Sequence, residues 1–216
     1  MPLAHFSKFP NQYDKEKLKL EYYRVIENFS LQKQHDKYHD GGWKSAPLYS
    51  HDGDPFNDLP QGQPYLPTPL IKFAPYTHEI IKSFNLIPER VRYLSLAPNS
   101  RIKWHCDKNE SFYFGSIRLH IPIITNDNVI FKILNSVLKM KEGELWYGDF
   151  TFPHQVINDS NESRIHLVMD FEFDINKQKN NTFFSDLLKV NLPFLKTKSL
   201  ISSSCWRFMN KLNLLN

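Results

Sequence analysis

His105, Cys106 and Asp107 are consecutive, and His154 follows much later in the chain. In an extended segment, residues two apart point the same way, so His105 and Asp107 can converge on one ion while Cys106 points away. A rolled sheet would bring His154 back beside them. Two imidazoles and one carboxylate make the facial triad of non-haem Fe(II) oxygenases, which leaves coordination positions open for a co-substrate and O2. Taken singly, each histidine reads more readily as a surface or hydrogen-bonded residue, and a lone His-x-Asp is a weak signal.

Arg164 lies ten residues beyond His154, at the start of an apolar run. A dicarboxylate such as 2-oxoglutarate chelates iron through its 2-oxo acid end. Its far carboxylate then needs a fixed, fork-shaped cation, which arginine supplies and lysine does not. Two runs also alternate unusually. Ile117–Ile123 places Arg118 and His120 on one face, and Arg164–Asp170 places Arg164, His166 and Asp170 on one face. A half-exposed sheet with its polar face in water is the ordinary explanation for such alternation. Arg and His suit anion and metal chemistry better than the Lys, Glu and Thr usual on a solvent face.

The elements that must position these residues are short strands. From Arg90 to Asp174, runs rich in Val, Ile, Leu, Phe and Tyr alternate with turn residues: Val91–Ala97, Ile102–His105, Ile117–Ile124, Val129–Leu134, Glu144–Trp146, His154–Asn158 and Arg164–Phe173. This spacing predicts a sandwich or barrel. Ahead of it, Asp14 caps a predicted helix over residues 14–29 with apolar residues at helical spacing. A glycine- and proline-punctuated stretch over residues 40–70 reads as long and loop-rich, and a short helix follows over Thr77–Phe84. After Asn176 two helices are predicted, Phe183–Val190 and Leu200–Leu212, broken around Pro193. The expected division is therefore residues 1–89 as helices and loops packed on a core, 90–176 as the β core, and 177–216 as a helical extension.

The 216 residues suffice to bury a good core without disulfides or structural metal. A net charge of +4, with both signs spread along the chain, gives no nucleic-acid footprint. Two cysteines, no apolar leader in MPLAHFSKFP and no membrane-length apolar run point to a soluble protein of the reducing cytoplasm. Trp104 and Trp146 read as core packing, Glu144 as a solvated turn carboxylate, and His51–Asp54 as an Asp/Gly turn rather than a second metal site.

The stretch RVRYLSLAPNSRIKWHCD, followed by IRLHIPI and by GELWYGDFTFPHQVINDSNESRIHLVMD, resembles the aspartyl/asparaginyl β-hydroxylase family of Fe(II)/2-oxoglutarate-dependent dioxygenases. The likeness covers about residues 90–174 and, more weakly, the upstream GGWKSAPLYS. It implies a mainly β fold with flanking helices around a double-stranded β-helix (jelly-roll) core. It also implies hydroxylation of an unactivated carbon with Fe(II), 2-oxoglutarate and O2, releasing succinate and CO2. By the same likeness His105, Asp107 and His154 are iron ligands and Arg164 holds the distal co-substrate carboxylate. Arg118 and His120 match positions near the iron-chelating end of 2-oxoglutarate or the substrate. Trp43, Lys44 and Ser45, at the mouth of the scaffold, and His166 are substrate-contact candidates.

The family name leaves the substrate open between a small amino-acid-like molecule, a peptidyl residue and a lipid. Two other readings compete: a cupin-like metalloenzyme that does not use 2-oxoglutarate, and a non-catalytic jelly-roll binding protein. Arg164 discriminates against the first and the intact triad against the second. The apolar faces of the C-terminal helices are expected to cover the core, the site mouth, or a second subunit in a homodimer.

Overall fold

The computed structural model describes residues 5–34, 36–60, 62–189 and 192–211. Strands β1 (Phe6–Gln12), β2 (Gln32–Lys33), β3 (Trp43–His51) and β4 (Tyr65–Pro67) come first, with helices α1 (Lys15–Asn28) and α2 (Pro75–Ser83) among them. Then follow β5 (Pro88–Leu96), β6 (Ser100–His105), β7 (Ser116–Ile124), β8 (Val129–Ile133), β9 (Ser136–Leu138), β10 (Glu144–Gly148), β11 (His154–Asn158) and β12 (Arg164–Glu172). Helices α3 (Ile175–Gln178), α4 (Ser185–Leu188) and α5 (Leu192–Lys211) close the chain.

Among the described residues the strands form two antiparallel sheets. The larger runs β1-β10-β7-β12-β5-β3-β2 with β4 against β3, and the smaller runs β6-β11-β8-β9. Together they form the double-stranded β-helix that the family resemblance implied, where the strand spacing alone pointed to a sandwich or barrel. On β7 and β12 both faces are buried. Ile165, Leu167, Met169 and Phe171 lie on one face of β12, and Arg164, His166, Val168 and Asp170 on the other. The aliphatic face joins the core cluster that also holds Leu18, Tyr22 and Val25 of α1. Tyr22 meets Tyr93 of β5 edge-on at 5.5 Å. The polar face therefore points inward, between the sheets, which corrects the alternative of a half-exposed sheet. The chain can bury such a face only where charges pair or a ligand arrives.

Asp14 caps α1 as expected, accepting from Glu16 N and Lys17 N at 3.1 Å each. Helix α2 has no side-chain cap of its own. Glu21 of α1 supplies it, accepting from Tyr76 N at 2.6 Å and Thr77 N at 2.8 Å.

Several expectations are corrected. The stretch over residues 40–70 is not a continuous loop, since Trp43–His51 is a nine-residue strand paired along β5. Pro47 hid it: a strand register shift falls between Pro47 and Tyr49, where a residue without an N–H is tolerated. Nor do residues before 90 only pack on the core, because β1 to β4 belong to the large sheet itself. Strand β1 carries Pro10 and lies at the sheet's edge, the place open to it. Toward the C-terminus, α5 begins at Leu192 rather than Leu200. Pro193 sits in its first turn, where a missing N–H breaks no helical bond. The ends of the two predicted helices, Val190 and Leu212, lie outside the described residues. None of the helices among the described residues is long and apolar enough to cross a membrane.

Candidate active site

His105 ends β6, and His154 begins β11. These strands pair so that the two Cα positions are direct partners, with ring centroids 4.0 Å apart. Asp107 stands just past β6, its N–H donating to Phe150 O at 2.8 Å. One ligand atom from each of His105, Asp107 and His154 lies within 4.8 Å of the others. Each imidazole is turned by a backbone carbonyl. His105 Nδ1 donates to Lys103 O at 2.7 Å, and His154 Nδ1 to Phe152 O at 3.0 Å, which leaves both Nε2 lone pairs for an ion. Burial, together with His105, pulls His154 down to about 3, so its ring is neutral and able to ligate. Burial opposes ionisation of Asp107, but Arg118 and the two histidines outweigh it and hold the carboxyl well below the usual range. Arg118 bonds Asp107 Oδ2, and Oδ1 faces His105 Nε2 at 3.7 Å. The donor set thus fits a divalent transition metal held on one side only.

The triad opens on a cavity of about 420 Å³ between the sheets, within the usual range for small-molecule sites. Phe131, Val156 and Ile102 line it from the small sheet, and Leu94 and Val168 from the large one. Phe150 stands edge-on to His154 at 4.9 Å. A Cβ at Gly148 would come within 2.6 Å of the Phe150 ring, so glycine is what admits the ring there.

Four arginines of the large sheet reach this cavity, in two different states. Arg90, Arg92 and Arg118 share carboxylates. Asp170 accepts from Arg118 Nε at 2.6 Å and Nη2 at 2.9 Å and from Arg92 Nη1 at 3.0 Å, and Arg90 Nη2 is 3.4 Å away. Glu110 Oε1 takes Arg90 at 3.1 Å and Arg118 at 3.0 Å. Arg118, matched by the family likeness to the co-substrate or substrate end of the site, therefore spends its donors on Asp170, Glu110 and Asp107. Burial, with Asp170 nearby, pushes the Glu110 carboxyl up to about 7 despite the two arginines.

Arg164 is different. It is 2% exposed, and among the described residues no carboxylate lies within ion-pair distance of it. Its Nη2 donates to His166 Nδ1 at 2.6 Å, and its buried Nε has no partner. Burial alone lowers it to about 9. Because an arginine can only donate, His166 Nδ1 is the acceptor and its proton sits on Nε2. His120 Nδ1 lies 3.3 Å from the same atom, and His120 Nε2 is buried without a partner. Burial first, then the charge of Arg164, holds both histidines neutral. A fixed, buried cation beside neutral histidines suits an anionic ligand.

The other candidates separate. Trp43 lines the cavity and packs against His105, its indole Nε1 buried and unpartnered. Ser45 accepts from Gln34 Nε2 at 2.8 Å, Lys44 is exposed, and neither lines the cavity. His166 sits behind Arg164. Glu144 is corrected from solvated to buried: it takes Lys8 Nζ at 2.5 Å and Trp146 Nε1 at 2.9 Å and serves β1 and β10. His51–Asp54 is a turn, with Asp52 and Gly53 at positive φ. Sequence reading missed Glu110 and the arginine cluster around Asp170. The only local sign was that Arg90, Arg92 and Asp170 fall on alternate positions of two runs.

A family model described as aspartyl/asparaginyl beta-hydroxylase matches residues 12–173. The chain is 30% identical over 139 residues to L-proline cis-4-hydroxylase of Rhizobium meliloti (strain 1021), covering 61% of this chain and 48% of that protein. It is 29% identical over 166 residues to L-proline cis-3-hydroxylase 1 of Streptomyces sp, covering 72% and 55%. The chain thus spans about half the length of the curated relatives it matches. Among solved structures, a 2OG-Fe(II) oxygenase family oxidoreductase from Burkholderia pseudomallei aligns with a TM-score of 0.55 at 11% identity, over 78% of this chain and 84% of that one. HygX from Streptomyces hygroscopicus, with nickel, 2-oxoglutarate and hygromycin B bound, aligns at 0.51 and 8%, over 78% and 83%. At these identities the two structures carry the jelly-roll fold and nothing more.

Proposed function

Because the chain belongs to the aspartyl/asparaginyl β-hydroxylase family, we propose that it hydroxylates an unactivated carbon of a small, amino-acid-like molecule, using Fe(II) and 2-oxoglutarate. Substrate C–H, O2 and 2-oxoglutarate give C–OH, succinate and CO2, with one oxygen atom in each oxidised product. His105, Asp107 and His154 would hold the metal. When bound, the metal supplies a Lewis-acidic centre with open positions where O2 is activated. The chain does the rest. The backbone carbonyls of Lys103 and Phe152 fix the two imidazole tautomers, and Arg118 keeps Asp107 ionised while engaging Oδ2, so that Oδ1 would serve as the ligand. Phe131, Phe150 and Val156 exclude water.

The observation that carries this reading is Arg164, a buried guanidinium without a carboxylate on the wall of the cavity that the triad faces. The distal carboxylate of a 2-oxo diacid supplies the missing anion. A cupin-like enzyme without 2-oxoglutarate has no use for that cation, and a protein that has lost catalysis has no use for the intact triad. The relatives' names, proline hydroxylases, support the amino-acid-like substrate. The free thiols of Cys106 and Cys205 suit a reducing compartment such as the cytoplasm. Exposed Ile201 and Phe208 on α5 suit a homodimer contact.

The test is 2-oxoglutarate binding to the metal-loaded protein, read both from the absorption of the metal chelate without O2 and from succinate release. Arg164→Ala should weaken 2-oxoglutarate at least ~10-fold, since hydrogen bonds to charged groups are worth about 1.5–3 kcal/mol and each 1.4 kcal/mol is tenfold. Arg164→Lys should recover only part of the loss, lacking the fork. Metal affinity should stay unchanged in both, whereas a His154→Ala control should lose it. Unaltered 2-oxoglutarate affinity in Arg164→Ala would make the cupin-like reading the better one.

A further inference from the structure

The turn between β10 and β11, residues 149–153, supplies two backbone acceptors to the metal triad. Phe150 O takes the Asp107 N–H at 2.8 Å, and Phe152 O takes His154 Nδ1 at 3.0 Å. Two of the three ligands therefore depend on how this turn is held. The side chains of Asp149 and Thr151 do not line the cavity. They belong to a separate buried polar cluster with Tyr113 and Ser199.

Asp149 organises that cluster. It is fully buried, and among the described residues no cation lies within ion-pair distance of it. Its Oδ1 accepts from Thr151 N at 3.2 Å and Thr151 Oγ1 at 2.5 Å, and its Oδ2 accepts from the Tyr113 hydroxyl at 2.6 Å. A carboxylate only accepts, so both hydroxyl protons are committed to it. Thr151 Oγ1 is then left to accept from Ser199 Oγ of α5, 2.6 Å away. Leu195, Ser199 and Ser203 of α5 are buried and four residues apart, which puts them on one helix face. A second link starts beside Ser199. Lys198 Nζ donates to His5 Nε2 at 3.2 Å, the His5 ring packs on Phe152 at 4.4 Å, and His5 O accepts from Asp149 N at 2.8 Å. Both links end on the turn that serves the metal ligands.

We propose that Asp149 is a positioning residue of the metal centre, and that α5 reaches that centre through Ser199, Thr151 and Asp149. This role rests on the metal triad of the hydroxylase reading and deepens it. Asp149 fixes the backbone of the turn, and the turn fixes the Asp107 main chain and the His154 tautomer. Ligands that are already aligned need no ordering when the ion arrives, so a loosened turn lowers affinity for it.

The experiment titrates the metal-free full chain with Co(II) in the absence of O2 and 2-oxoglutarate, well below the unfolding temperature of each variant. Visible absorption reports both affinity and coordination geometry. Asp149→Ala should bind Co(II) ~10–100-fold more weakly, with altered absorption bands. Asp149→Asn keeps an acceptor for Thr151 and should lie between. Thr151→Val deletes the shared hydroxyl at similar volume and should weaken Co(II) ~10-fold, with Ser199→Ala weaker in effect. Val25→Ala, on α1, opens a cavity in the core and should lower Tm while leaving Co(II) affinity and spectrum unchanged. Unchanged affinity and spectrum in Asp149→Ala would overturn the proposal. So would an equal loss in Val25→Ala, which would make the effect one of general stability. If Asp149→Ala does not fold, Thr151→Val and Ser199→Ala decide in its place, and unchanged binding in both overturns it. No Co(II) binding by the unaltered chain would instead sink the metal triad and the hydroxylase reading.

Discussion

Two stretches of the same cavity wall use arginine in opposite ways. On β5 and β7, Arg90, Arg92 and Arg118 all pair with Asp170, Arg90 and Arg118 also with Glu110, and Arg118 also steadies Asp107. On β12, only a few residues from Asp170, Arg164 stands among neutral histidines and aromatic rings, its Cζ 5.7 Å from the Phe131 centroid. The buried charges of the first group compensate one another within the chain, so those arginines are scaffold. The charge of the second has no carboxylate beside it among the described residues, as the anion site proposed above requires. Burial lowers Arg164 to about 9, whereas burial of Arg118 is outweighed by its carboxylates, which raise it above its ordinary value. An arginine's role in a site is thus read from its partners and not from its presence.

Asp170 is the anion that the three paired arginines share. Asp170→Ala leaves three buried guanidinium groups short of a partner. It should cost about 3–5 kcal/mol of folding stability, the range for breaking a buried pair from one side. Urea denaturation measures this, and a loss under 1 kcal/mol would mean that the cluster is not the scaffold described. A smaller effect of opposite sign is expected at the unpaired arginine. Arg164→Met removes an uncompensated charge at similar volume, so the ligand-free protein should gain about 1–3 kcal/mol, or ~2–4 °C in Tm per kcal/mol. The same variant should lose the stabilisation that 2-oxoglutarate confers on the unaltered protein. A drop in ligand-free stability would show that Arg164 is paired after all.

The smallest effect concerns pH. Glu110 titrates near 7 in the folded chain against an ordinary 4.5, so folding favours its protonated form. Its contribution is fully present below about pH 4.5 and is lost as pH rises through 7. Asp170, held far below its ordinary range by the arginines despite burial, contributes in the opposite direction, and that contribution is lost only in strong acid. Glu110→Gln should therefore flatten the stability profile between about pH 4.5 and 7 while leaving the acid limb intact. Chemical denaturation at several pH values checks it, and identical profiles would place the Glu110 carboxylate in water.

Local geometry was legible along the chain. A period of two brought His105 and Asp107 to one side, and set Arg118 with His120 and Arg164 with His166 on single faces, because alternation along a strand needs no knowledge of its neighbours. Likewise the capped, amphipathic α1 was legible from Asp14 and the spacing of Leu18, Tyr22 and Val25. What tertiary structure decided was everything that depends on which strand lies beside which. The polar faces of β7 and β12 point into the cavity because helices cover the aliphatic faces. Trp43 reaches the site because β3 joins the sheet, which Pro47 and the flanking glycines obscured. Arg118 and Asp170, far apart in sequence, meet as register partners on β7 and β12. Glu110 lies in the turn after β6, where no strand period applies, so only the closed roll could place it on the same cavity wall as His105, Asp107 and His154. Ion pairs across a sheet have no local signature, since the energy that selects them exists only once both charges are buried together.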